Sequence, residues 1–128
     1  MKTKLFELLT VCGLAVLIAG CVNTVDGRKS AGVPFVKDKI EGRYQRPVAQ
    51  VFAAAKEVLA FNGVLTSENM INNSLEAKVD TRTVWVRVDK DKIDETVTHV
   101  TVQTRTKGGG GDIYLAAEID KQIALKLR

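Results

Sequence analysis

Valine recurs at every second position in two stretches of this chain, and that alternation constrains the fold more than any other feature. Val84, Val86 and Val88 are separated by Trp85 and Arg87, and Val100 and Val102 are interleaved with His99, Thr101 and Gln103. Successive side chains of a strand point to opposite faces, so each stretch carries one apolar and one polar face. Leu75, Ala77 and Val79 repeat the pattern. Such strands suit an antiparallel sheet covered on one side only. Asn72-Asn73 supplies a turn between residues 64–70 and 75–79, and the charged run 89–96 (DKDKIDET) reads as a hairpin connection. Residues 40–45 add a short first strand.

Two segments have helical periodicity instead. Over residues 47–61, Val48, Val51, Phe52, Ala55, Val58 and Leu59 fall on one stripe. Pro47 suits the first helical position, where its missing N–H costs nothing. Asn62-Gly63 is expected to stop the helix through a residue able to adopt positive φ. Over residues 112–127, Asp112 suits an N-cap, Ala116, Ile119, Ile123 and Leu127 form the stripe, and Lys121, Lys126 and Arg128 favour the C-terminal end of the helix dipole. The predicted fold is therefore α+β. An antiparallel sheet of about four to five strands, in the order β-α-β-β-β-β-α, carries both helices on its apolar face. Phe52 and Ile119 sit at the stripe centres, so truncating either should be costly, and Gly109→Ala should cost far less.

The 128 residues suffice for one domain. The formal charge of +4 fits an anionic membrane surface or cell-wall polymer. It does not fit nucleic acid, because no more than two basic residues are adjacent. The N-terminus begins with a basic Met1-Lys2-Thr3-Lys4 and continues into an uncharged run at residues 8–19 (LLTVCGLAVLIA). That run is too short to span a ~30 Å hydrocarbon core but right for the apolar region of a signal peptide. It ends in Ile18-Ala19-Gly20-Cys21, which resembles the lipobox of bacterial lipoproteins. The resemblance implies a diacylglyceryl thioether on Cys21, cleavage after Gly20 and usually an N-acyl chain. The alternative is an ordinary signal peptide or an uncleaved helix with Cys21 buried. Cys12 lies within the apolar run, so cleavage leaves Cys21 without a disulfide partner. Val22, where Asp would retain an enterobacterial lipoprotein in the inner membrane, favours the outer membrane. The expected organisation is a signal peptide at 1–20, a lipidated tether at 21–39 and an α+β domain at 40–128. Within the tether, residues 33–36 are the candidate contact with the domain.

Taken together, the lipobox, VAQVFAAAKEVLAFNG, VWVRV, THVTVQT and GDIYLAAEIDKQIALKL resemble a family of short bacterial lipoproteins catalogued only as a domain of unknown function. The four-glycine run is a departure from that pattern. The family implies no activity.

No catalytic constellation emerges. Gly108, Gly109, Gly110 and Gly111 precede a helix, but the Lys and Ser/Thr of a P-loop are missing and Asp112 would repel phosphate. The run reads as a flexible connection or, less simply, as a ligand loop. His99, the only histidine, is expected to be exposed and without a defined carboxylate partner, a poor basis for a metal site or a nucleophile–base pair. The acidic residues at 89–95 lack the glycine-centred pattern of a calcium loop. No metal, cofactor or small-molecule substrate is implied. Trp85 shares its outward parity with Thr83 and Arg87, and with His99, Thr101, Gln103 and Arg105 on the next strand. This is either cross-strand packing that stiffens the sheet or an exposed contact surface for an envelope protein or cell-wall partner. A third account has the tether fold back through residues 33–36 and cover Trp85. The leading expectation is a non-enzymatic structural or interaction module anchored to the membrane by lipid. The alternatives are an accessory binding subunit of an outer-membrane assembly or transport complex, and a cell-wall hydrolase.

Overall fold

The computed structural model describes residues 20–25, 29–32 and 38–128. The basic start, the apolar run and the candidate contact at 33–36 lie outside the described residues. Two short strands, β1 (Gly20–Asn23) and β2 (Lys29–Gly32), pair as an antiparallel ribbon. This differs from the irregular tether expected there. The remaining elements follow the expected order: β3 (Lys39–Tyr44), α1 (Val48–Asn62), β4 (Val64–Asn69), β5 (Ser74–Val79), β6 (Arg82–Lys90), β7 (Thr98–Arg105) and α2 (Ile113–Lys126).

Strands β3 to β7 form one five-stranded sheet in the spatial order β3-β7-β6-β5-β4, with every neighbouring pair antiparallel. The alternating valines set the register: Val86 faces Val102 and Val88 faces Val100, all fully buried. They pack with Leu75, Ala77 and Val84 beneath Val51, Ala55, Val58 and Leu59 of α1 and Ala116, Ile119 and Ile123 of α2. Both helices lie on the apolar face, as the two stripes require.

The helix boundaries show two departures from the sequence reading. Pro47 is the N-cap rather than the first helical residue: its backbone is extended, and its carbonyl accepts from the amides of Gln50 and Val51. Gly63 ends α1 without positive φ, at φ −170°. Its role is steric. A Cβ there would lie 2.0 Å from the Lys78 carbonyl oxygen of β5, so only glycine allows α1 to turn this closely onto the sheet. The left-handed conformation occurs instead at Asn73 in the β4–β5 turn, at Asp80 and at Gly109. Asp112 caps α2 as expected, its carboxylate accepting from the Leu115 amide at 3.1 Å.

Polar ties lock the helices in place. The Asn62 amide donates to the Val58 carbonyl and to Gln122 Oε1, both at 2.7 Å, and so links the end of α1 to α2. The Tyr44 hydroxyl donates to Asp120 Oδ1 at 2.6 Å, joining β3 to α2. Burial and this neighbouring carboxylate push the Tyr44 phenol well above its ordinary pKa, so it remains a hydrogen-bond donor.

Candidate functional site: the outer face of the sheet

The face of the sheet turned away from the helices carries the residues that parity singles out, arranged in cross-strand rows. One row runs Glu76, Trp85, Gln103 and Lys39 across β5, β6, β7 and β3. The next runs Ser74, Arg87, Thr101 and Glu41, and beyond it Asp89, His99 and Arg43 align. Thr83 and Arg105 pair on the other side of the tryptophan row. Trp85, Arg87, His99, Gln103 and Arg105 therefore do share one surface.

That surface is not an open one, which corrects the expectation of an exposed Trp85. Trp85 is 5% exposed, Arg105 4% and Gln103 0%. The guanidinium of Arg105 lies over the indole, 5.7 Å from its centroid, and the indole N–H donates to Glu76 Oε2 at 3.2 Å. Asp38, just before β3, accepts from Gln103 Nε2 at 2.7 Å and from Arg105 Nε at 3.1 Å. A buried amide and a buried guanidinium are thus satisfied by one carboxylate, as burial of polar groups demands.

Residues 24–25, the chain just beyond β1, lie against the same place. Thr24 is buried. The Val25 amide donates to Gln103 Oε1 at 2.9 Å, and its carbonyl accepts from Arg87 Nη1 at 3.3 Å. Among the described residues, those near the N-terminus of the presumed tether therefore touch the sheet; the candidate contact at 33–36 lies outside the described residues. Sequence reading missed Glu76, Asp38 and Val25. Glu76 has the same outward parity as Trp85 and was recoverable from the alternation of Leu75, Ala77 and Val79. Asp38 and Val25 sit in stretches without periodicity and gave no signal.

At the His99 end the face opens into a wide groove of about 790 Å³, lined among others by Lys39, Glu41, Arg87, Lys90 and Lys92. His99 is half-buried, with Nε2 3.6 Å from Glu41 Oε2, so it has a carboxylate neighbour that its sequence context did not reveal. Arg87 pairs with Asp89 at 3.2 Å and Arg43 with Asp91 at 2.7 Å. The Asp91 carboxylate also accepts from the amides of Asp94 and Ile93. These amides, with Arg43, hold it below the usual carboxylate range. Such a group is tuned as a permanent anion rather than as a proton donor.

The glycine loop makes its own hydrogen bonds. The Thr106 amide donates to the Gly110 carbonyl and the Gly109 amide to the Thr106 carbonyl. The first turn of α2 behind it already holds the Asp112 carboxylate, which an incoming anion would have to displace. Among the described residues, no group of three or more His, Cys, Asp or Glu is placed to hold a metal ion.

These features define a small two-layer α+β domain with a polar sheet face partly covered by its own N-terminal segment. The chain belongs to the family described as "Protein of unknown function (DUF3568)", whose model matches residues 3–126. This agrees with the resemblance drawn from the strand and helix motifs. No curated protein matches the chain. Among solved structures, the di-domain ARO/CYC StfQ from the steffimycin biosynthetic pathway is similar at 12% identity and a TM-score of 0.35, over 71% of this chain. The match spans 43% of that protein, and a likeness of this degree carries no functional argument. No helix among the described residues is long and apolar enough to cross a membrane.

Proposed function

We propose that the protein is a lipid-anchored lipoprotein of the cell envelope, acylated on Cys21, whose α+β domain works there as a non-enzymatic structural or interaction module. One observation carries the reading: after a basic start, a 12-residue uncharged run, LLTVCGLAVLIA, ends within Ile18-Ala19-Gly20-Cys21. Small residues before the cysteine let an extended backbone enter a narrow protease site beside the modified thiol. One acyl chain holds a protein only marginally, whereas two or three on one residue make a lasting anchor. Val22 after the cysteine favours the outer membrane. The state of the groove favours a non-enzymatic role. Its carboxylate Asp91 is held below the usual carboxylate range by the Asp94 and Ile93 amides and by Arg43, which opposes general-acid chemistry there.

Metabolic labelling with a fatty acid, followed by intact-mass measurement, tests the anchor. Wild-type protein should carry acyl chains and remain with membranes. Cys21→Ser should accumulate as the unprocessed precursor or be released. Mature wild-type protein of unmodified mass defeats the reading.

A further inference from the structure

The contact between Val25 and the sheet determines how an anchored domain would stand on its membrane. Were residues 22–37 free, Cys21 would sit on a leash of about 55 Å, at ~3.3 Å per residue, and the domain would present every side equally. The structure does not leave that leash free. Val25 is gripped at both its backbone polar groups, by the fully buried Gln103 and by Arg87. Only four residue steps then separate the gripped point from Cys21, a span of at most about 13 Å.

The groups around the open groove match what such proximity would bring. Its carboxylates are each engaged: Glu41 by His99, Asp89 by Arg87 and Asp91 by Arg43. Lys39, Lys90 and Lys92 line the same groove and form no ion pair among the described residues, so the surplus charge there is positive. Ile93, on the loop that borders the groove, is 92% exposed. Unengaged lysines around a projecting aliphatic side chain suit an anionic headgroup layer, where the ammonium groups meet phosphate and the apolar side chain meets the acyl boundary.

We propose that the outer face of the sheet is the membrane-facing side of this domain, held there by the Val25 clamp, with Lys39, Lys90, Lys92 and Ile93 contacting an anionic phospholipid surface. This rests on the lipid anchor proposed above. The single tryptophan, Trp85, lies in the row beside the clamp and supplies the probe. The full-length acylated protein would be reconstituted in phosphatidylethanolamine–phosphatidylglycerol vesicles carrying a dansyl headgroup acceptor, and energy transfer from Trp85 measured. Transfer should be efficient. It should fall in Val25→Pro, which removes the amide donor to Gln103 without touching the core, and fall when Lys39, Lys90 and Lys92 are all changed to Gln, a variant in which added salt should have less effect than in the wild type. Moving the donor to the opposite layer with Phe61→Trp in a Trp85→Phe background should also lower it. Acylated protein in which Val25→Pro leaves transfer unchanged, or in which the Phe61 position transfers as well as Trp85, overturns the proposal alone. Wild-type protein that mass measurement shows to lack acyl chains overturns the anchor and the orientation together.

Discussion

Replacing Gly63 with alanine should damage this fold more than the same change at Gly42, Gly108 or Gly110. An ideal Cβ at Gly63 lies 2.0 Å from the Lys78 carbonyl oxygen, 2.9 Å from the Lys78 carbonyl carbon and 3.1 Å from Val79 Cα. All three are backbone atoms, so no flexible side chain can yield. Relief requires a movement of about 1 Å, and well-packed interiors resist such shifts. On one side stands α1, fixed by buried Val58 and Leu59 and by the Asn62–Gln122 bonds. On the other stands the β4–β5 ladder, where Val64 pairs with Lys78 and Leu65 with Ala77. Overpacking of this sort costs roughly 1–3 kcal/mol, and each ladder hydrogen bond lost adds about 1 kcal/mol. Alanine's lower freedom in the unfolded chain returns ~0.4–1 kcal/mol. The net expectation is a loss of about 2–3 kcal/mol, or a melting point lower by roughly 10–20 °C for a domain of this size. Urea unfolding followed by Trp85 fluorescence and circular dichroism measures it, and hydrogen exchange should show the amides near Val64 and Lys78 loosening first. Because φ at Gly63 is extended, backbone strain predicts no effect. A loss below ~0.5 kcal/mol, within the range of ordinary surface changes, refutes the close-contact argument.

The buried helix faces, the glycine loop and the α2 cap respond to substitution in distinct ways. Ile119→Ala, at a fully buried site between the helices and the sheet, should cost about 2–5 kcal/mol in urea unfolding. Phe52→Ala should cost a comparable amount, and indifference at either site would mean that the helix faces are wrongly assigned. Gly109→Ala should cost about 1–2 kcal/mol, because Gly109 sits at φ 87° where a Cβ is strained. Gly108→Ala, with nothing within 4 Å, should be close to neutral. The cost at Gly109 stays below that of truncating Phe52 or Ile119, as expected, and equal midpoints for the Gly108 and Gly109 variants would contradict the strain argument. Asp112→Ala should cost roughly 1–2 kcal/mol by removing the α2 cap. The Arg82 guanidinium at 2.7 Å, and next the Leu115 amide, hold the Asp112 carboxylate below its ordinary value of 3.8. Its folded pKa is depressed, so its contribution is complete above the ordinary value and is lost as pH falls below 3.8 through the folded value. The stability gap between wild type and variant should therefore narrow in acid. A gap that widens there would show that the carboxylate is not the stabilising form.

How much of this was legible in the sequence depended on whether a constraint was local or remote. Two-residue alternation at Val84–Val88 and Leu75–Val79 fixes which side chains share a face, because the pleat repeats every second residue whatever the strand pairs with. Helical stripes and the Asp112 cap are equally local, so the element order, the two layers and the buried valines followed from the chain alone. The five outward residues of β6 and β7 were also placed correctly on a single surface, since parity is sufficient for that. Exposure was not decided by parity. Whether Trp85 meets water depends on where Glu76 and Arg105 come to rest, and Arg105 is held in turn by Asp38, in a stretch with no periodicity to read.

Only the tertiary structure decided that β3 pairs with β7, so that the first and last strands of the sheet lie side by side and bring Glu41 to His99 and Asp38 to Arg105. It also decided that Gly63 serves close approach rather than positive φ, because the obstacle is the Lys78 carbonyl, fifteen residues along the chain. The sequence by itself determined what each segment is, through periodicity and capping that act over a turn or a pleat. The structure decided what each segment touches, because a polar face is solvated or covered according to partners that the chain brings from far away.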